Sequence, residues 1–108
     1  MGTSLTVGSA GSGAKGGGAG GIPRPTDAAA IAAAERLLHS TGDIGKVRSA
    51  SVRGMTRNKK GTWWVLVAID DSLAGKDQAV LTFDGKTWDV EVFGEGVSND
   101  DLPPDVRF

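Results

Sequence analysis

Thr62-Trp63-Trp64-Val65-Leu66-Val67-Ala68-Ile69, followed by Ala79-Val80-Leu81-Thr82-Phe83, Asp84-Gly85 and Lys86-Thr87-Trp88-Asp89-Val90-Glu91-Val92-Phe93, is the stretch whose reading decides the fold. It holds all three tryptophans and most of the long apolar runs. Successive side chains of a strand point to opposite faces. Trp63, Val65, Val67 and Ile69 therefore share one face, and Trp64, Leu66 and Ala68 the other. A strand apolar on both faces is covered on both, or keeps one for a partner. Asp84-Gly85 between alternating runs predicts a two-residue type I′ hairpin. That register sets Phe83 opposite Lys86, Leu81 opposite Trp88 and Ala79 opposite Val90. One hairpin face then carries Ala79, Leu81, Phe83, Trp88, Val90 and Val92. The other carries Val80, Thr82, Thr87, Asp89 and Glu91 and is largely polar.

Upstream, Lys46 to Met55 predicts a strand in which Val47, Ala50, Val52 and Met55 are interleaved with Arg48, Ser49, Ser51 and Arg53. The alternation is impure, as an edge strand tolerates, and the charges discourage pairing with another chain. Arg57-Asn58-Lys59-Lys60-Gly61 is a turn that joins this strand to the next as a hairpin. Asp70 to Lys76 is expected as a loop. Before the strands, Thr26 suits a helix N-cap, Asp27 adds negative charge to the first turn, and Ala28 to His39 is rich in strong helix formers. Ala30, Ile31, Ala33, Ala34, Leu37 and Leu38 form a slim apolar face fit for close packing on a sheet, and Gly42 ends the helix. After the strands, Leu102, Val106 and Phe108 lie in a proline-containing tail that cannot add a central strand.

Residues 1–25 read as a flexible arm, because residues 1–21 are almost entirely Gly, Ala, Ser and Thr, with nothing to offset their unfolded entropy by burial. Residues 26–108 then form a single α+β domain, one helix packed on a four-stranded antiparallel meander. There is no cysteine, so neither a disulfide framework nor a thiolate metal site is available. A formal net charge of -1 gives no global attraction to nucleic acid or an acidic membrane. No apolar run approaches the ~20 residues needed to span a bilayer. The N-terminus lacks the charged start and apolar middle of a signal peptide. Met1-Gly2-Thr3-Ser4-Leu5-Thr6 matches the loose myristoylation pattern, which is read as coincidence in so Gly-, Ser- and Thr-rich a segment. Glycines 16–21 are not a phosphate loop, since no strand precedes them and no Gly-Lys-Ser/Thr follows.

Gly61-Thr62-Trp63-Trp64-Val65-Leu66-Val67 resembles the glycine, small polar residue, paired aromatics and apolar strand that follow the first inhibitory hairpin of cystatins. The glycine-rich arm, the helix before a four-stranded meander and a tryptophan in a later hairpin are similar too. The resemblance covers residues 22–93 and implies a cystatin-like fold. It departs where inhibition would be decided: the family's Gln-x-Val-x-Gly tip falls on Arg57-Asn58-Lys59-Lys60-Gly61, where only the glycine matches. The second-loop Pro-Trp pair is absent, because Trp88 follows Thr87. The chain is also similar to small uncharacterised bacterial proteins with a Trp-x-Val strand after an Asp-Gly turn, which bring no activity with them.

Charge is uneven. Lys46 to Lys60 holds six basic residues and no acid, whereas Asp84 to Asp105 holds seven acids against Lys86. The first and fourth strands of a meander are opposite edges, so one side is expected basic and the other acidic. That asymmetry suits edge protection, and it can also steer association with a protein partner or a second copy. Nucleic-acid binding through the basic hairpin is disfavoured by the acidic edge. His39 is the one histidine and has no nucleophile or carboxylate set around it, so no catalytic residue is assigned. Ser98-Asn99-Asp100-Asp101 lacks the ligand spacing of a calcium loop, and no metal or cofactor is expected. The expected function is a non-catalytic interaction module, with the convex row Trp64, Leu66 and Val80 and the basic hairpin Arg57, Lys59 and Lys60 as contact surfaces. The alternatives are a cystatin-like protease inhibitor and a small carrier or enzyme using the concave face beneath the helix. Whether the tail or a partner covers the convex row is left open.

Overall fold

The computed structural model describes residues 21–108. The expectations placed on residues 1–20, namely most of the arm, the myristoylation pattern and the first glycines of the 16–21 run, lie outside the described residues. The chain runs α1 (Asp27–Ser40), β1 (Val47–Arg57), β2 (Trp63–Asp71), β3 (Gly75–Phe83) and β4 (Trp88–Gly94), followed by a 3-10 turn (Asn99–Asp101). The strands form one antiparallel sheet in the order β1-β2-β3-β4. The α+β class and the helix-plus-meander plan are those expected.

The ends of α1 are closed chemically. Thr26 Oγ1 accepts the Ala29 N–H at 3.0 Å. At the other end Gly42, at φ 77°, lets its own N–H reach the His39 carbonyl and that of Asp43 the Leu38 carbonyl, a Schellman closure. The apolar face of α1 then buries Ala30, Ala33, Ala34 and Leu38 against Val65, Val67, Ile69, Ala79 and Leu81. Alanines let the helix approach closely, and each fully buried valine or leucine beneath contributes roughly 1.5–3 kcal/mol. The space beneath the middle of the helix is filled, since Ala30, Ala34, Val65, Val67 and Leu81 are all fully buried. The part of the concave face beneath the middle of the helix is therefore packed with side chains.

β1 keeps its apolar residues on the core side through two bulges. Its register shifts between Val47 and Ser49 and again between Val52 and Gly54, leaving Arg48 and Arg53 as the extra residues. Val47, Ala50, Val52 and Met55 consequently all pack on the helix-side core.

Two connections differ from expectation. The loop expected over Asp70 to Lys76 is a three-residue turn, because Asp71 pairs with Gly75 and the strands run almost to its ends. Asp71 Oδ2 accepts the N–H groups of Leu73 and Ala74 at 3.0 and 3.1 Å, and that of Gly45 at 2.7 Å. Gly75, at φ 81°, restarts the strand. The β3–β4 hairpin pairs Phe83 with Trp88, not with Lys86, so the loop is Asp84-Gly85-Lys86-Thr87. The Asp84 carboxylate makes the difference: its Oδ1 accepts the N–H groups of Lys86 and Thr87 at 2.9 and 2.7 Å. Those two bonds hold the Asp84 carboxyl below its usual range. A bulge at Glu91 then shifts the register, pairing Val80 with Val92 and Ala79 with Phe93. Phe93 joins the helix-side core, while Val92, expected there, faces the other way.

The outer face is covered by the chain's own tail. Leu102 and the fully buried Val106 pack with Val97 over Trp64, Val80, Leu66 and Val92. This strap is pinned at three places. The Val97 N–H donates to Gln78 Oε1 at 3.0 Å, the Lys59 N–H to Asp105 Oδ2 at 3.0 Å, and the Phe108 ring lies against the backbone of Gly54. A Cβ on Gly54 would approach that ring to 2.9 Å, so this close contact requires glycine.

Candidate functional site

The strap settles one expected surface. Val80 is fully buried and Trp64 is 9% exposed beneath the chain's own residues, so these two are core positions and not a free contact row; Leu66 is half-buried beside them. The physical reason is local: Val106, Leu102 and Val97 supply the apolar cover that β2 lacks on this side. Trp64 Nε1 finds no acceptor there among the described residues.

The other expected surface is assembled. Arg57 pairs with Trp63, Trp63 with Phe83 and Phe83 with Trp88, so one rung crosses all four strands at the end of the sheet. Phe83 and Trp88 stack, with ring centroids 4.6 Å apart and planes 24° from parallel. The Arg57 guanidinium carbon lies 5.3 Å from the Trp63 ring centroid, and that of Arg24 lies 6.0 Å from it. Each such contact contributes about 0.5–1 kcal/mol where water reaches it. Arg24 arrives because Trp63 Nε1 donates to the Ile22 carbonyl at 2.8 Å, tying the segment before α1 across the rung.

Beyond the rung, the β1–β2 turn carries the exposed side chains of Lys59 and Lys60. Asn58 shapes the turn, its Oδ1 accepting the N–H groups of Lys60 and Thr62 at 3.0 and 2.9 Å, and Gly61 closes it at φ 90°. Asp105, on the strap, lies among these cations. The N–H of Lys59 holds its carboxyl below the usual range, and the charges of Lys59 and Lys60 act in the same direction. The expected separation of charge is thus incomplete: β1 and β4 are opposite edges, but the tail returns one acid to the basic tip. A groove of about 580 Å³ runs between Asn58, Lys59 and Lys60 on one side and Pro103, Pro104 and Asp105 on the other.

At the opposite end of the sheet, an open concavity of about 330 Å³ is lined by Ser49, Ser51, Asp70, Lys76, Gln78 and Glu95 among others. The Arg48–Asp70 ion pair, 2.9 Å long, stands beside it, with Arg48 largely exposed. Such a pair contributes little to stability. Asp71 and Asp77 are buried nearby. Burial pushes the Asp71 carboxyl up, but the N–H groups of Gly45, Ala74 and Leu73 outweigh it and the net direction is down. Asp77 has no such donors among the described residues. Burial, then the negative charges of Asp71 and Glu95, push it above its usual value, and its Oδ2 has no partner among the described residues. His39 Nε2 donates to the Gly45 carbonyl at 2.7 Å, closing the α1–β1 connection. Among the described residues no cluster of His, Asp and Glu is arranged to hold a metal, and no helix is long and apolar enough to cross a membrane.

Of the residues expected to make contacts, Arg57, Lys59 and Lys60 come together, whereas Trp64, Leu66 and Val80 lie on the strap side of the sheet. Arg24 was not foreseen, because the segment containing it read as arm. The signal was present in Ile22-Pro23-Arg24-Pro25: two prolines hold this piece extended, and Ile22 is a large apolar residue next to a glycine run. No protein-family model matches the chain, and neither the curated proteins nor the solved structures hold a match to it.

Proposed function

We propose that this chain is a non-catalytic interaction module that contacts an acidic segment of a partner polypeptide through the cationic end of its sheet. The observation that carries this reading is the convergence of Arg24 and Arg57 on the Trp63 ring, next along the chain from the turn that bears the exposed Lys59 and Lys60, while the salt bridge among the described residues is Arg48–Asp70, elsewhere. A guanidinium laid on an indole keeps its N–H edge free, and that edge matches a carboxylate in bidentate geometry. Asp105 favours a polypeptide over a nucleic acid. An evenly charged phosphate backbone crossing this end meets that carboxylate, whereas a peptide can place its own acids to either side. Exposed charges of this kind steer encounter and orientation more than they add affinity.

The test is a titration of the isotopically labelled full chain, followed by NMR at two ionic strengths. The probes are a glutamate-rich peptide built around one alanine, its glutamine counterpart, and a short single-stranded oligonucleotide. The glutamate peptide alone is expected to shift the Trp63 indole and Arg57 signals, and more weakly as salt rises. Equal shifts with the glutamine peptide, no shifts at millimolar glutamate peptide, or a preference for the oligonucleotide would each overturn the proposal.

A further inference from the structure

We infer that the acidic partner segment carries an aromatic side chain, seated in a depression beside these cations; this rests on the cationic end being the contact surface. Between the segment entering α1 and the β3–β4 loop lies an open depression of about 340 Å³. Its walls include Ile22, Pro25, Ala29, Phe83 and Trp88, with Arg24 contributing to the lining. The volume is at the lower end of the range for ligand sites, which suits one large side chain and not an extended ligand.

The walls are held before any ligand arrives. Phe83 and Trp88 are stacked on each other, Ile22 is fixed by the Trp63 indole N–H, and Pro23 and Pro25 have locked φ torsions. A preformed apolar seat spares the partner the ordering cost that a flexible one imposes. Phe83 and Trp88 offer flat rings against which an incoming ring can stack offset or edge-on. The charge complements this: the same Arg24 that helps line the depression reaches the Trp63 ring, and Arg57 reaches that ring too. Acidic residues flanking an aromatic anchor would therefore meet both guanidiniums while the anchor occupies the depression. A phenylalanine or tryptophan flanked by aspartate or glutamate is the partner chemistry that fits.

The glutamate-rich peptide with a central phenylalanine is compared with its alanine version on the full chain. The phenylalanine peptide is expected to bind on the order of tenfold tighter, as burial of about half of an aromatic side chain predicts. Ala29→Leu, a substitution at an exposed helix position that projects bulk toward the depression, is expected to bring that ratio close to one. Arg24→Gln is expected to weaken both peptides. Intermolecular NOEs should connect the peptide ring to the Trp88 indole in the unsubstituted protein. A ratio near one in that protein, a ratio untouched by Ala29→Leu, or an absence of those NOEs overturns the inference. In each of those cases a retained difference between glutamate and glutamine peptides leaves the charge-based reading standing. A phenylalanine advantage with no dependence on peptide charge overturns both, because the acidic context is part of each.

Discussion

Truncating Val106 to alanine tests whether the strap is part of the folded unit or merely rests on it. Val106 is fully buried against Trp64 and Val80. Val106→Ala removes two methyl groups, each contributing about 0.8 kcal/mol, and the unfilled space raises the cost to roughly 2 kcal/mol. A folding unit of this size has a total stability of only about 4–12 kcal/mol, so the loss is a large fraction of it. At about 4–8 °C per kcal/mol, Tm should fall by roughly 8–16 °C. Urea unfolding followed by tryptophan emission gives the equilibrium loss. Amide exchange at Val97 and Val106, whose N–H groups bond to Gln78 and Pro103, shows whether the strap opens with the sheet or ahead of it. Leu73→Ala is the control, since Leu73 is 65% exposed and its truncation should stay within about 0.5 kcal/mol. An unchanged urea midpoint for Val106→Ala, or strap amides that exchange freely in the unsubstituted protein, would refute the reasoning.

Gly75→Ala should cost about 1 kcal/mol in the same assay; Gly75 has φ 81° and no heavy atom within 4 Å of an added methyl, so the loss measures backbone strain alone. For Asp77, the folded carboxyl holds its proton at pH values where the unfolded chain has released it, so stability falls as pH rises from about 4 through the raised folded value. Asp77→Asn should remove that slope and raise Tm at neutral pH, and an unchanged pH profile would count against the buried charge. Asp105 has the opposite sign: its folded pKa is lowered, so its contribution is present above the ordinary carboxylate range and is lost as pH falls through the folded value. The protection of the Lys59 amide, relative to its intrinsic exchange rate at each pH, should fall as acid protonates Asp105, and Asp105→Ala should show low protection at every pH.

Much of the sheet was readable from local pattern, and the departures have physical causes. Val47, Ala50, Val52 and Met55 are spaced three, two and three apart, and both three-residue steps coincide with bulges. The irregularity was visible, but its cause lies in how β1 pairs with β2, which strand pattern alone does not encode. Asp84-Gly85 marked the hairpin correctly, while its length was decided by a carboxylate competing for backbone N–H groups. The extended loop expected around Gly75 shrank for a similar reason, since Asp71 gathers donors from Leu73, Ala74 and, across the fold, Gly45. The cover over Trp64 was least readable. Leu102 and Val106 lie in an irregular segment with no period, and their packing on residues about 40 positions upstream leaves no local trace. At the candidate site the hairpin cations were evident from composition, whereas Arg24 joined them through a single indole hydrogen bond.

The strap also imposes an order of events on folding. Trp64, Leu66, Val80 and Val92 belong to the sheet, and their cover, Val97, Leu102 and Val106, comes from the segment that follows it. Until that segment docks, the polypeptide displays a tryptophan-centred apolar surface of the kind that chaperones bind and that drives aggregation. Substitutions that loosen the strap prolong that exposure, and should therefore lower soluble yield in cells more than their effect on equilibrium stability would suggest.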